Sequence, residues 1–334
     1  GGSSSWTANA NWMGDPAGKG DPCTSGWYGV TCGSGEVTQL YIDSLALAGT
    51  LPTELGALTG LTNFWLEQNS LVGAIPTELG NADKIDSSFN LFTNSLTATI
   101  PTQLGRITGV DLFPLDVNSL TGTFPTELGQ LTGAMFPLSR NSINGTIPTE
   151  LGNRPAAGSR FELYSNRLTG SLPTEIGLMT KLSNSIAFSF NEITGVVPTE
   201  IGKLTILTSD LALYTNKLVG QIPSEIGSLT AMKYFHYDGN SLTGLIPTQF
   251  AELTGLTQMH GYRNSLSGSI PTQMGSITTM TRLAVDSNNL CGSIPTEVAS
   301  LTTSSSYSTW ALTAKNFVGP TPCPAVSALV ALYE

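Results

Sequence analysis

The sequence predicts an α/β solenoid, one elongated body built from stacked repeats. Three observations support this fold class. A phrase close to Ile-Pro-Thr-Glu-Leu-Gly returns at intervals of 23 to 25 residues, one asparagine recurs in each of ten repeats, and the four cysteines lie only near the chain ends. A fixed period of this length is typical of repeat arrays, in which each unit contacts only its neighbours.

The repeat is defined by two columns of residues. The proline column is Pro52, Pro76, Pro101, Pro125, Pro148, Pro173, Pro198, Pro223, Pro247, Pro271 and Pro295. The asparagine column is Asn69, Asn94, Asn118, Asn141, Asn166, Asn191, Asn216, Asn240, Asn264 and Asn288.

Each repeat is predicted to contain one short helical turn and one short strand. In the first repeat Pro52 suits a helix start, because its missing N–H would be unpaired there anyway. Glu54 falls in the first turn, where its charge favours the positive helix end, and Gly56 is expected to stop that turn. Phe64 and the following residues alternate with the period of a half-buried strand.

The asparagine column is predicted to be structural. An inward asparagine at the end of each strand can bond backbone groups of the adjacent coil with both ends of its amide. Stacked copies then form a ladder that satisfies the polar groups of a buried bend.

Composition limits the function classes. Net charge is −10, only 11% of residues are charged, and no Lys/Arg-rich stripe is visible, so nucleic-acid binding is not expected. No apolar stretch reaches the roughly 18–20 residues that a spanning helix needs, so we expect no membrane insertion within this segment. No catalytic, nucleotide-binding or metal-ligand motif occurs at a defined place, which predicts a non-enzyme without cofactor or metal.

The cysteines indicate a compartment. Cys23 and Cys32 precede the first repeat, and Cys291 and Cys323 accompany the last. Pairs at the two ends of an array suggest staples on capping units and an oxidising, extracellular setting. The alternative is four free thiols in a cytosolic protein. The sequon Asn144-Gly145-Thr146 predicts a glycosylation site, in agreement with secretion.

The repeat resembles a known family. The segment 118–129, NSLTGTFPTELG, follows the pattern of plant-type extracellular leucine-rich repeats, as in receptor-kinase ectodomains and polygalacturonase-inhibitor-like proteins. Asp21-Pro22-Cys23 and the segment 27–32, WYGVTC, resemble the N-terminal cap of that family, where the two cysteines pair. Leu290-Cys291-Gly292 with Cys323 resembles its C-terminal cap.

This resemblance implies an architecture. It is a right-handed leucine-rich-repeat superhelix with a parallel concave β-sheet, short helical or 3-10 turns on the convex side, and disulfide-stapled caps. The expected organisation is an N-terminal cap over 1–39, about ten to eleven repeats over 40–290, and the last repeat with the C-terminal cap over 291–334. Pro114 and Pro137 fall inside predicted strands, where pairing should be weaker because proline lacks a donor.

The concave strand face is the predicted binding surface, since solenoids present their ligand contacts there. Aromatic and short polar residues alternate along it, as in protein or carbohydrate contacts. The candidate ligand-binding residues are Trp65, Phe92, Tyr164, Tyr214, Tyr234, His236, Asp238, His260, Tyr262 and Asp286. The two histidines should be adjacent. They form either a metal or pH-sensitive site, or two solvated imidazoles on a variable face.

A second candidate surface is lateral and uncharged. Residues three and five after each ladder asparagine are often threonine, which resembles the ice-binding face of some β-solenoid antifreeze proteins. The alternative is that Ser/Thr-Gly serves turn geometry. The candidate ice-face residues are Thr97, Thr99, Thr121, Thr123 and Thr169.

The leading functional hypothesis is a non-catalytic extracellular recognition or adhesion module, secreted or at the cell surface. It would bind a protein, peptide or cell-wall polysaccharide through the concave face. Two alternatives remain open. One is a self-assembling structural protein of the cell surface or matrix, and the other is an ice-binding protein that uses the threonine ladder.

Overall fold

The computed structural model describes residues 20–133, 135–154 and 158–303. Each repeat forms one coil with a strand on the concave side, a second short extended segment on a lateral side and a 3-10 helix on the convex side. The predicted α/β solenoid is confirmed.

The concave sheet is parallel apart from its first strand, which pairs with the second in an antiparallel hairpin. It forms a four-stranded part and a seven-stranded part, bridged through Leu112. Its strands are Val30–Gly33, Glu36–Tyr41, Asn63–Trp65, Ser88–Asn90, Met135–Pro137, Arg160–Glu162, Ser185–Ala187, Asp210–Ala212, Tyr234–His236, Gln258–His260 and Arg282–Ala284.

The two prolines affect this sheet differently. The coil with Pro114 has only isolated bridges at Leu112, which confirms the weaker pairing expected there. Pro137, in contrast, lies within a strand that pairs with Arg160–Glu162. Its coil keeps its strand because the neighbouring amides, such as that of Leu138, still reach carbonyls of the next coil.

The lateral segments also pair in parallel, coil to coil. They are Ala48–Thr50, Ser70–Gly73, Ser95–Leu96, Asn144–Gly145, Arg167–Leu168, Val219–Gln221, Ser241–Gly244, Ser265–Gly268 and Asn289–Leu290.

The convex side carries one five-residue 3-10 helix in each coil. These are Thr53–Ala57, Thr77–Asn81, Thr102–Arg106, Thr126–Gln130, Thr149–Asn153, Thr174–Leu178, Thr199–Lys203, Ser224–Ser228, Thr248–Glu252 and Thr272–Ser276. A short α-helix, Thr296–Ala299, and a 3-10 turn, Ser300–Thr303, follow.

Two details of the predicted turn need correction. Pro52 precedes the 3-10 helix as its N-cap, with extended backbone angles, instead of occupying the first helical position. Gly56 lies inside the helix and does not end it. A Cβ on Gly56 would lie 2.3 Å from the Glu78 carbonyl oxygen of the next coil. Gly56 is therefore needed for close stacking of the coils. The place of Glu54 in the first turn is confirmed.

The core is one continuous column of apolar side chains running through all the described coils. Phenylalanines of successive strands stack in it, with ring centroids 5.1 Å apart between Phe64 and Phe89 and 5.2 Å apart between Phe89 and Phe113. Repetition of the same apolar position one coil apart places like side chains against each other.

The asparagine ladder closes the polar side of each bend. Asn216 accepts a hydrogen bond from the Ile193 amide (3.0 Å) and donates to the carbonyls of Phe188 (2.9 Å) and Leu213 (3.1 Å). The same pattern repeats from Asn69 to Asn288. The prediction that both amide ends bond the adjacent coil is confirmed.

The N-terminal staple is present, with Cys23 bonded to Cys32. Cys291 is disulfide-bonded as well, whereas Cys323 lies outside the described residues. Within those residues no helix has the length and apolar content to cross a membrane.

Candidate functional site

The parallel register of the concave sheet decides which side chains meet. It aligns Tyr234 with Gln258 and His236 with His260. Residues two and four before each ladder asparagine share the concave face because side chains alternate along a strand. Adjacent strands lie about 4.8 Å apart, so side chains of neighbouring coils touch.

Six rings form a contiguous group on the C-terminal half of this face, which we call the aromatic–imidazole cluster. It consists of Phe190, Tyr214, Tyr234, His236, His260 and Tyr262. The two imidazoles stack with centroids 4.5 Å apart, which confirms their predicted adjacency. His236 lies 6.2 Å from Tyr214 and 6.1 Å from Tyr234, measured between centroids. Phe190 meets Tyr214 edge to face at 5.1 Å, and His260 lies 6.3 Å from Tyr262.

Charges of both signs surround the cluster. Asp210 Oδ1 lies 3.5 Å from His236 Nδ1, too far for a well-formed hydrogen bond. Burial raises the pKa of Asp238, an effect that the hydrogen bond from Tyr262 opposes. Burial lowers the pKa of His260 to about 4, with smaller contributions from His236 and Arg282. His260 is therefore neutral at physiological pH.

Three enclosed polar atoms in or beside the cluster have no hydrogen-bond partner within the described part of the chain. They are Nε2 of His236, Nε2 of His260 and Oδ1 of Asp210. Buried polar atoms are usually paired, so an unpaired group of this kind is costly. Among the described residues no three His, Cys, Asp or Glu side chains are placed to bind a metal ion.

The remaining candidates lie apart from the cluster. Trp65 packs against Tyr41 with centroids 5.6 Å apart, near the N-terminal end of the sheet. Phe92 lies in the same coil as Asn90, which donates a 2.6 Å hydrogen bond to Glu67 of the preceding coil. Tyr164 lies midway along the sheet, where the Arg140 guanidinium carbon is 5.8 Å from its ring centroid. Asp286 lies beyond Tyr262, in the next coil towards the C-terminus.

Asp116 is a second titratable feature of this N-terminal half. Burial raises its pKa to about 6, with smaller increases from Glu162 and Glu67, while backbone hydrogen bonding and Arg140 lower it. Its Oδ1 atom has no hydrogen-bond partner in the described ranges. Burial thus perturbs an acid in the N-terminal half and both an acid and a histidine in the C-terminal half.

Sequence reasoning missed Phe190, Asp210 and Arg282. Phe190 precedes a ladder asparagine, and the residue at this place adopts a left-handed backbone in each coil from Gln68 to Ser287. That turn carries Phe190 to the rim of the sheet, 49% exposed. The column before each asparagine contains glycine only at Gly239, so its residue types did not signal this bend. Asp210 and Arg282 lie six residues before ladder asparagines, a column in which only Tyr234 was a predicted site residue.

The core beneath the cluster carries one exception to the repeat. Tyr237 occupies a position that holds leucine in most coils, and Gly261 holds the same position one coil later. A Cβ on Gly261 would lie 2.2 Å from the Tyr237 ring. The glycine therefore makes room for the tyrosine, whose buried hydroxyl lacks a hydrogen-bond partner among the described residues.

The lateral face carries the predicted threonine ladder. The side chains of Thr97, Thr99, Thr121, Thr123 and Thr169 are all exposed. Backbone hydrogen bonds of 2.7 to 2.8 Å fix the spacing between these coils, as from Thr121 N to Ala98 O and from Thr169 N to Gly145 O. Further along the same face Val196 and Leu245, 56% and 59% exposed, interrupt the ladder.

Comparisons with known proteins identify the fold but no family. No protein-family model matches the chain, and a search of characterised proteins also finds no match. Among solved structures, the chain is 26% identical to a TDR receptor, with a TM-score of 0.68 over 78% of this chain and 45% of the receptor. It is 25% identical to the Arabidopsis receptor kinase HAESA, solved with the peptide hormone IDA and the co-receptor SERK1. That match has a TM-score of 0.62 and covers 84% of this chain and 50% of HAESA.

A third match covers a larger share of the matched protein. A plant ice-binding protein is 25% identical, with a TM-score of 0.59 over 84% of this chain and 82% of that protein. The chain thus spans half or less of those two receptors but most of the ice-binding protein. The fold is a leucine-rich-repeat solenoid, similar to plant receptor ectodomains and to this ice-binding protein.

Proposed function

We propose that this leucine-rich-repeat solenoid is a non-catalytic extracellular recognition module, secreted or at the cell surface, that binds a peptide or protein segment on its concave face. In this proposal residues 1–39 and 291–334 act as caps of the array. The observation that carries the proposal is the aromatic–imidazole cluster. Its six rings span four consecutive coils on the face that solenoids use for binding.

The chemistry of the cluster favours a polypeptide ligand. Aromatic side chains supply most of the energy of protein contacts when they lie centrally in a well-packed patch. Asp210 and Asp238 on one side, with Arg263 and Arg282 on the other, offer complementary contacts to a chain that carries charges of both signs.

The other candidate residues extend this surface towards the N-terminus. Trp65 and Phe92 lie several coils from the cluster. Tyr164 lies between these two residues and the cluster. An extended chain rises about 3.3 Å per residue, so a peptide crossing the strands reaches about two coils for every three residues. A segment of roughly ten residues would therefore contact Trp65 and the cluster at once.

The test is selection of binders from a displayed random-peptide library on the wild-type chain. Simultaneous alanine substitution of Tyr164, Tyr214 and Tyr262 is expected to weaken the selected peptides at least 30-fold, since loss of one central aromatic costs about 2 kcal/mol. A matched control replaces the exposed lateral residues Val196, Val219 and Leu245 with alanine and should bind normally. Unchanged affinity of the tyrosine variant would reject the concave site, and selective binding to a glycan array would assign a polysaccharide instead.

Ice binding is the second candidate function, supported by the exposed threonine ladder and by the match to the plant ice-binding protein over most of both chains. We expect thermal hysteresis in the unglycosylated protein and its loss in the double variant Thr121→Lys and Thr169→Lys. Gln130→Lys, on the convex side, is the control that should remain active. A parent protein without thermal hysteresis would eliminate this candidate.

Self-assembly through the same lateral face is the structural alternative. It predicts concentration-dependent association in analytical ultracentrifugation. A monomer at high concentration would contradict it.

A further inference from the structure

The lateral face contains the only Asn-x-Ser/Thr sequon of the 334 residues, at Asn144-Gly145-Thr146. All ten ladder asparagines are followed two positions later by leucine or isoleucine, which are buried in the core. The repeat therefore excludes acceptor sequons from its ladder, and the one sequon lies outside that column. Attachment of a glycan requires such a sequon and a secretory route.

The structure presents both ends of this sequon to solvent. Asn144 and Thr146 are exposed, one on each side of Gly145. The intervening Gly145 has a φ of 76° and packs against the Thr123 side chain, where a Cβ would lie 2.8 Å from the Thr123 methyl carbon. The backbone of Asn144 is fixed by its hydrogen bond to the Gly122 carbonyl, 2.8 Å long. Its side chain is free of the core.

Asn144 also occupies the middle of the threonine ladder. Its coil pairs with Thr123 on one side and with Arg167–Leu168 on the other. Thr121 and Thr123 therefore flank it in the preceding coil, and Thr169 flanks it in the following one. Coils lie about 4.8 Å apart, so a bulky glycan on Asn144 spans several of them.

We propose that Asn144 carries an N-linked glycan that covers the middle of the lateral face and leaves the concave face free. The glycosylated protein then cannot place its threonine ladder flat against ice or against a second copy. Glycosylation of Asn144 thus selects the concave face as the working surface. This inference rests on the extracellular location given in the proposed function, but it is independent of what the concave face binds.

The first experiment measures the glycan itself. The full chain is secreted from eukaryotic cells, and its intact mass is compared before and after treatment with peptide-N-glycosidase F. Wild type and Thr146→Ser, which retains the sequon, are expected to lose one glycan. Asn144→Gln is expected to show no change. A wild-type protein without a glycan would overturn the proposal.

The second experiment measures coverage of the face. Thr169→Cys and Thr243→Cys lie in the same column as Asn144. Residue 169 is in the next coil after Asn144, and residue 243 is four coils away from it. Labelling with a polyethylene-glycol maleimide is expected to be several-fold slower at residue 169 in the glycosylated protein than with Asn144→Gln. The rate at residue 243 should be the same in both. Equal rates at residue 169 would show that the glycan leaves the face open.

Discussion

The asparagine ladder and the aromatic–imidazole cluster lie side by side in the coils they share, but they differ in how many of their buried polar atoms are hydrogen-bonded. The amide oxygen of Asn216 accepts a hydrogen bond from the preceding coil, and its amide nitrogen donates to the preceding coil and to its own coil. In the cluster, the Nε2 atoms of His236 and His260 are enclosed and without a hydrogen-bond partner in the described residues. Unpaired buried polar atoms cost stability and concentrate at functional sites. The ladder therefore serves folding, whereas the unpaired atoms of the cluster mark it as the candidate functional site.

The largest expected effect tests the ladder side of this comparison. Asn216→Leu leaves the Ile193 amide without a partner and removes one of the two side-chain hydrogen bonds at each of the Phe188 and Leu213 carbonyls. An unpaired buried group costs about 1–3 kcal/mol and each lost hydrogen bond about 1 kcal/mol, so we expect a loss of about 3 kcal/mol in the free energy of unfolding. Urea denaturation measures the loss, and hydrogen exchange locates it in the coils around residue 216.

The neighbouring residue provides the control. Lys217→Ala removes only an exposed 2.7 Å ion pair with Glu192, and solvent screening leaves such exposed pairs with little effect on stability. If the two substitutions destabilise equally, the ladder does not carry the role assigned to it.

The second prediction concerns the core exception beneath the cluster. Gly261→Leu places a side chain where the Tyr237 ring lies, and overpacking of this kind costs about 1–3 kcal/mol. The double variant Tyr237→Leu and Gly261→Leu restores the usual repeat residues, and it should be clearly more stable than the Gly261→Leu variant. Thermal unfolding of both single variants and the double variant measures the coupling. Additive losses would show that the tyrosine and the glycine are independent.

The third prediction separates the two halves of the concave face by pH. The folded-state pKa of His260 is lowered from 6.5 to about 4, so the unfolded state takes up the proton first and stability falls as pH drops through that window. The pKa of Asp116 is raised from 3.8 to about 6, so the folded state takes up the proton first and stability rises as pH drops through that window.

Two neutral variants separate these contributions. His260→Gln should reduce the loss of stability between pH 6.5 and 4, and Asp116→Asn should remove the gain between pH 6 and 3.8. Melting temperatures measured across pH give the two slopes. The imidazole resonances of a chain with only two histidines give the pKa of His260 directly. A titration midpoint near pH 6.5 would show that the His260 ring is solvated. That result would favour two solvated imidazoles over a metal or pH-sensitive site for this pair.

The smallest expected effect lies on the lateral face. Ala98 has a left-handed backbone with φ of 63°, in a column that is glycine in the coils on either side of it. A left-handed conformation costs an L-residue about 1–2 kcal/mol, while glycine loses about 0.5–1 kcal/mol of chain entropy. Ala98→Gly should therefore stabilise the protein by up to about 1 kcal/mol. Chemical denaturation measures the gain, and a destabilised variant would show that the alanine methyl makes a compensating contact.

Much of the fold was predictable because each structural role recurs at a fixed place. The asparagine column predicted the ladder, the cysteine positions together with the family resemblance predicted the Cys23–Cys32 bond, and the histidine columns predicted a pair that lies 4.5 Å apart. A period converts sequence spacing directly into neighbours in space. The role of Gly56 was predicted wrongly, because its contact is with the next coil and not with its own turn.

The candidate site was only partly predictable. Tyr214, His236, His260 and Tyr262 join one cluster, whereas Trp65 and Phe92 lie several coils away. Whether two residues of one column touch depends on how many coils separate them and on the direction of each side chain. Phe190 was missed because a left-handed residue carries it onto the rim, and a strand pattern does not report that bend.

The sequence by itself determined the period, and through it the solenoid, the ladder and the placement of the sequon on the lateral face, because every coil repeats the same local chemistry. Only the tertiary structure decided which rings form a cluster, which polar atoms remain unpaired and which pKa values shift. Those properties depend on burial and on distances between coils, and both are set when the whole array is stacked.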